Sequence, residues 1–109
     1  MENLLDLAIA IQQIPAPTFD EKKRGEFVRQ LFVKERLDEI SVDDAGNIYG
    51  KYPGKGMGAP LVICAHLDTV FPAQTDLRIT RDPNRITGPG IGDNSLAVAA
   101  MPILIGMLR

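Results

Sequence analysis

Leu61-Val62-Ile63-Cys64-Ala65-His66-Leu67-Asp68-Thr69 passes from five apolar residues into a histidine and an aspartate spaced two apart. A short continuous apolar run of this kind predicts a strand buried on both faces, as in parallel sheets. Residues two apart on a strand point to the same side. His66 and Asp68 therefore share a face where the strand emerges, which is where open α/β sheets bind ligands. Cys64 lies one step deeper on that face and reads as a small buried hydrophobe. A carboxylate beside a histidine can hold the ring in one tautomer and leave the other nitrogen free for a metal. On the pattern alone, a structural histidine or a surface pair is the commoner meaning of H-x-D.

Upstream of this strand, residues 2–13 place Leu4, Leu5, Ala8, Ile9 and Ile11 or Gln12 at helical spacing, and Ile14-Pro15-Ala16-Pro17 breaks the pattern. Thr18-Phe19-Asp20-Glu21 reads as a capping box opening a helix to about Leu37, with Phe27, Val28, Leu31 and Phe32 toward the core. From Ile40 the period becomes two, and Asp43-Asp44-Ala45-Gly46-Asn47 separates two expected strands. Downstream, residues 72–87 read as an excursion with short strands around Leu77–Thr80 and Arg85–Thr87. A tight loop follows, then an apolar helix from Asn94 or Ser95. This order predicts an α/β fold, an incomplete mixed sheet flanked by helices, within one domain.

The 109 residues, with 45% hydrophobic and 24% charged, have the profile of an ordinary globular domain and exclude disordered and collagen-like chains. A chain this short builds one core, without a deep cleft between two domains. Twelve basic residues interleave with fourteen acidic ones for a net charge of −2, which gives no footprint for nucleic acid. A single cysteine cannot form an internal disulfide, and the N-terminus lacks the basic start of a signal peptide, so a cytoplasmic location is the default expectation.

Leu96–Leu108 is too short for a membrane span, which takes about 20 residues, and carries Pro102 and Gly106. A helix apolar on all sides has to be buried on all sides. Residues 96–108 therefore predict self-association, a complementary partner or aggregation. Pro102 removes one helical hydrogen bond and predicts a kink.

Two glycine clusters compete for a ligand. Gly54, Gly56 and Ala59 match the dinucleotide fingerprint by letter, but Pro60 and an apolar strand follow where a helix is required, so the cluster reads as a loop. Gly88-Pro89-Gly90-Ile91-Gly92-Asp93-Asn94 delivers a carboxylate to a helix start through residues with wide backbone freedom. Asp93 as a simple N-cap explains the acid and not so many glycines.

Ala65-His66-Leu67-Asp68-Thr69-Val70-Phe71-Pro72 followed by Gly88-Pro89-Gly90-Ile91-Gly92-Asp93-Asn94-Ser95 resembles the dinuclear zinc exopeptidases, which include peptidase T, acetylornithine deacetylase and carboxypeptidase G. Ile14-Pro15-Ala16-Pro17-Thr18 and Asp43-Asp44-Ala45-Gly46-Asn47-Ile48 are similar to the N-terminal segment of that family, so the resemblance extends over essentially the whole chain. It implies that His66 ligates one zinc, that Asp68 orients His66, and that Asp93 bridges two metals. It also implies a cis Asp93–Asn94 peptide. The chemistry would be hydrolysis of small peptides, with two metal ions activating a water and polarising the amide carbonyl. The Gly-Pro-Gly-Ile-Gly-Asp-Asn-Ser form leans toward the tripeptidase-like branch and an aminopeptidase.

The family supplies its general base from a Glu-Glu pair on a later strand, and further ligands from an acidic residue and a histidine near its C-terminus. Its lid-like dimerisation domain also lies outside these residues. His66 is the only histidine here. Residues 1–109 are therefore expected to be the N-terminal part of a catalytic domain, inactive in isolation. His66 and Asp93 would offer one zinc two ligands and the other one, where zinc generally uses three or four. Manganese or cobalt would suit the same donors. Two other readings stand beside this one. The chain could be a non-catalytic module working through its apolar C-terminal helix, or a plain α/β domain in which H-x-D and the glycine turn are structural.

Overall fold

Helix α1 (Leu4–Gln12) starts where Asn3 caps it, the Asn3 side chain accepting the Asp6 amide at 2.8 Å. The computed structural model describes residues 3–109, so the expected helix start at residue 2 lies outside the described residues. α1 buries Leu7, Ala8 and Ile11, with Ile11 four and three residues beyond the other two and so on their face, while Leu5 is exposed. Helix α2 (Lys22–Lys34) adds Val28 and Phe32, and helix α3 (Leu96–Leu108) adds Val98 and Ala99. Together these seven residues form the core, with Phe27 and Leu31 packed partly buried against it. Burying a side chain of Leu or Ile size stabilises by about 1.5–3 kcal/mol.

The expected capping box is used differently. α2 begins at Lys22 with no side-chain cap at Glu21. The Glu21 carboxylate takes the Phe19 amide, and the Thr18 hydroxyl is committed to Asp68. Thr18 thus serves the tertiary structure in place of the helix end.

Strands β1 (Asp38–Val42) and β2 (Ile48–Lys51) pair antiparallel, with Val42 opposite Ile48 and an irregularity between Asp38 and Ser41. Their connection is tied by the Asp43 carboxylate, which accepts from the Ala45 and Asn47 amides, the Asn47 side chain and the Tyr49 hydroxyl. Strands β3 (Thr80–Asp82) and β4 (Arg85–Thr87) form a second antiparallel pair within the expected excursion. The architecture is mixed α/β, with two small separate sheets in place of one.

The buried strand expected over residues 61–65 does not form. The backbone there has no strand pairing, Leu61 and Val62 are 86% and 81% exposed, and Cys64 is exposed as well. The reason is topological. Among the described residues β1 pairs with β2 and β3 with β4, and neither pair lies against this run. A parallel-type strand is buried only by neighbours on both edges and helices on both faces. Between residues 62–68 and the turn-and-strand segment 44–49 an open cleft of about 700 Å³ remains, with Val28, Phe32 and Val98 among the residues lining it.

α3 continues through Pro102, which is buried inside it. α1 packs against α3, and its contacts lie along the helix that holds Pro102. They also cover one side of the helix, leaving Leu104, Met107 and Leu108 on the exposed side. With the irregular turn before it, the stretch Ile91–Leu108 has the length and apolarity to cross a membrane. Asp93 and Asn94 are non-helical, however, and the 13 regular residues of α3 span about 20 Å at 1.5 Å each, against a hydrocarbon core of about 30 Å.

Candidate metal centre

The end of the 61–69 segment is fixed even though its apolar beginning is not. Thr69 donates its amide to the Ala16 carbonyl at 2.9 Å, and Pro17 and Thr69 form an isolated parallel bridge. The stiff Ile14–Thr18 loop thereby supplies the neighbour that residues 61–65 lack. Thr18 Oγ1 donates to Asp68 Oδ2 at 2.9 Å.

His66 stands between two carboxylates. Its Nδ1 lies 3.0 Å from the Asp68 carbonyl and 3.2 Å from Asp68 Oδ1, and its Nε2 lies 3.1 Å from Asp93 Oδ1. Each ring nitrogen thus faces an acceptor oxygen, so the neutral ring donates either from Nδ1 to Asp68 or from Nε2 to Asp93. A carboxylate at Nδ1 is the kind of partner that orients metal-binding histidines. The Asp68 carboxyl sits below the usual carboxylate range, first because the Thr18 hydroxyl donates to it, and further because of its own backbone amide and His66. The side chain of Asp93 is 80% exposed and that of His66 is 53% exposed, so both face solvent.

Asp93 reaches His66 from the glycine turn at the head of α3. Gly90 has φ 77°, in the left-handed region that favours glycine. A Cβ on Gly88 would overlap the Ile79 side chain. The Asp93–Asn94 peptide is cis, and the Asn94 side-chain amide contacts the His66 carbonyl at 3.5 Å. These contacts bring residues 66 and 93 together across 27 positions of sequence.

His66, Asp68 and Asp93, the three site residues expected from the sequence, are thus assembled in one place. Cys64 lies outside that constellation, exposed where a buried position was expected, because the run that holds it is uncovered. The Gly54–Ala59 loop is irregular, with no helix after it to receive a phosphate.

Sequence reasoning missed three supports. Gln12, fully buried, donates through Nε2 to the carbonyls of Leu77 and Pro89, at 3.2 and 2.9 Å, and so fastens the glycine turn to α1. Arg24, only 3% exposed, donates to carbonyls on both the 12–14 and 66–68 segments. Thr18, expected to cap α2, binds Asp68. The signal available was a polar residue on an apolar helical face, as at Gln12; its partners were not readable.

Imidazole nitrogen and carboxylate oxygen are donors that zinc accepts, so His66 and Asp93 fit that ion in kind. In number they do not complete a site: among the described residues no group of three or more His, Cys, Asp or Glu side chains is placed to hold a metal ion.

A histidine held between two carboxylates stands at the junction of an apolar run and a glycine turn. Residues 47–108 match peptidase family M28, a match that takes in more than half of the chain and both motifs. The chain belongs to peptidase family M28.

Proposed function

We propose that these 109 residues are the N-terminal part of the catalytic domain of a two-zinc exopeptidase acting on small peptides, with an amino-, di- or tripeptidase specificity. His66 would ligate one ion, Asp93 would bridge both, and Asp68 would keep the His66 ring oriented. The observation that carries this reading is the pairing of His66 Nε2 with Asp93 Oδ1 at 3.1 Å while Nδ1 is engaged by Asp68. When bound, the metal ions would supply Lewis acidity to a peptide carbonyl and lower the pKa of a water. The chain's own residues present donor atoms, fix one imidazole tautomer, and hold the Asp93 turn against the end of the 61–69 segment.

The tripeptidase-like branch is favoured by the Gly-Pro-Gly-Ile-Gly-Asp-Asn-Ser sequence. The 109-residue chain offers no carboxylate placed as general base by the resemblance, and its isolated form is expected to be inactive. Calorimetric titration with zinc, alongside assays with amino-acid anilides and tripeptides, tests the whole reading. The expected result is weak zinc binding that disappears in His66→Ala and Asp93→Ala, with no turnover. Binding that survives both substitutions, or turnover above a metal-free control after repurification, would overturn it.

A further inference from the structure

Arg24 lies inside the protein without a salt-bridge partner among the described residues. It is 3% exposed, and none of the ion pairs among the described residues includes it. A buried guanidinium is costly unless its donors are used, and here they are used on backbone. Nε and Nη2 donate to the Ile14 carbonyl at 3.0 and 2.7 Å, Nη2 also lies 3.5 Å from the Gln12 carbonyl, and Nη1 donates to the Leu67 carbonyl at 2.8 Å. One planar fork thus spans the exit of α1 and the peptide unit between His66 and Asp68. Burial pushes the Arg24 guanidinium down from its ordinary pKa while the charge of Asp68 supports it.

The choice of partner is informative. The carbonyl of Leu67 belongs to the peptide that joins Leu67 to Asp68, so fixing it fixes the direction from which Asp68 meets His66 Nδ1. The neighbouring tie, Thr69 amide to Ala16 carbonyl, lies just beyond it on the same pair of segments. Among the described residues Arg24 is one of three side chains, with Thr18 and Asn94, that hydrogen-bond residues 66–68 to other segments, apart from the His66–Asp93 pair itself; Leu67 adds apolar packing against the core. Lysine cannot reproduce the span, because a single ammonium lacks the rigid fork that reaches two segments at once.

We infer that Arg24 is the positioning residue of this centre, holding the Leu67 carbonyl so that Asp68 meets the His66 ring at Nδ1. The inference rests on the reading of His66 and Asp68 given under the proposed function, but its test needs no metal. His66 is the only histidine, so a long-range 15N–1H spectrum reports its tautomer without ambiguity.

In the unaltered chain Nδ1–H donation to Asp68 competes with Nε2–H donation to Asp93, and the held Asp68 weights the ratio toward Nδ1–H. Arg24→Lys is expected to lower the ratio of Nδ1–H to Nε2–H about tenfold, the scale set by one charge-assisted hydrogen bond. Protection of the Thr69 amide from exchange should fall by a similar factor, while amides of α1 and α3 keep theirs. A variant that loses stability uniformly and keeps the tautomer ratio would overturn the inference. Should Arg24→Lys fail to fold, the unaltered chain decides. Under rising denaturant the Arg24 Nε–H and the Thr69 amide should exchange in one step, and exchange in separate steps overturns the proposal. A zinc titration of the unaltered chain tests the metal reading separately. Absent zinc binding with a shifted tautomer in Arg24→Lys would remove that reading and leave the positioning role standing.

Discussion

The two ends of the 61–69 segment have opposite fates. Residues 61–63 are the most apolar part of it and stand exposed, whereas Thr69 is buried and cross-linked to the Ile14–Thr18 loop. Hydrophobicity therefore did not decide which end became ordered against the rest; the presence of a backbone neighbour did. A strand gains its burial from partners contributed by other segments, and only the 66–69 end has one. The difference bears on function, because the chemistry-bearing residues lie at the tied end and the open cleft lies beside the loose one.

The largest test of this contrast compares two truncations. Ile11→Ala, in the core with no exposure, is expected to cost about 2–5 kcal/mol in chemical denaturation. Val62→Ala, in the exposed run, is expected to stay within about 0.5 kcal/mol. Equal losses would mean that residues 61–65 are covered in solution, and the contrast would fail.

Almost as large is the effect expected at Gln12. Its amide joins α1 to the carbonyls of Leu77 and Pro89, and Gln12→Ala leaves both without that donor. The cost should be about 1–3 kcal/mol. Amide exchange in residues 88–93 should accelerate more than exchange in α2, and a uniform loss would mean that Gln12 supports the core generally and the turn only incidentally.

Association behaviour comes next. The sequence points to residues 96–108 as the adhesive surface, but α1 covers one side of α3, and Leu61 and Val62 are more exposed than Leu104 or Leu108. We expect Val62→Lys to lower concentration-dependent association in sedimentation experiments about tenfold, the size of effect a central apolar contact carries at an interface. Met107→Lys should have a smaller effect. The reverse order would restore α3 as the main contact.

What could be read from the sequence follows the same division. Helix positions such as Val28 and Phe32 are fixed by local periodicity, and the Asp43–Asn47 turn by its own side chains, so these were legible. His66, Asp68 and Asp93 were legible as donor types near an expected strand end and a glycine turn. The environment of Leu61–Ala65 was not, because an apolar run states what a strand would bury and not whether anything lies beside it. Nor was the role of Thr18: the same hydroxyl satisfies a helix cap or Asp68, and only the approach of the Pro17–Thr18 loop to Thr69 selects the second. Arg24 looks like any charged residue on a helix until the carbonyls around it are in place.

The smallest effect belongs to the hairpin that forms one side of the cleft. Asp43 lies below the ordinary carboxylate range, first because the Asn47 side chain and amide donate to it, then through Tyr49 and the Ala45 amide. A carboxyl whose folded pKa is depressed binds its proton more readily when unfolded. Its contribution to stability is therefore complete above the ordinary value of 3.8 and is lost as pH falls through the folded value. Asp43→Asn is expected to weaken the hairpin modestly near neutrality and to flatten the acid limb of its stability, read from the Tyr49 ring signals in NMR spectra against pH. An acid limb unchanged by the substitution would show that the turn is held by its backbone alone. The cleft wall would then be a feature of chain geometry, and the contrast between tied and untied segments would have to be argued without it.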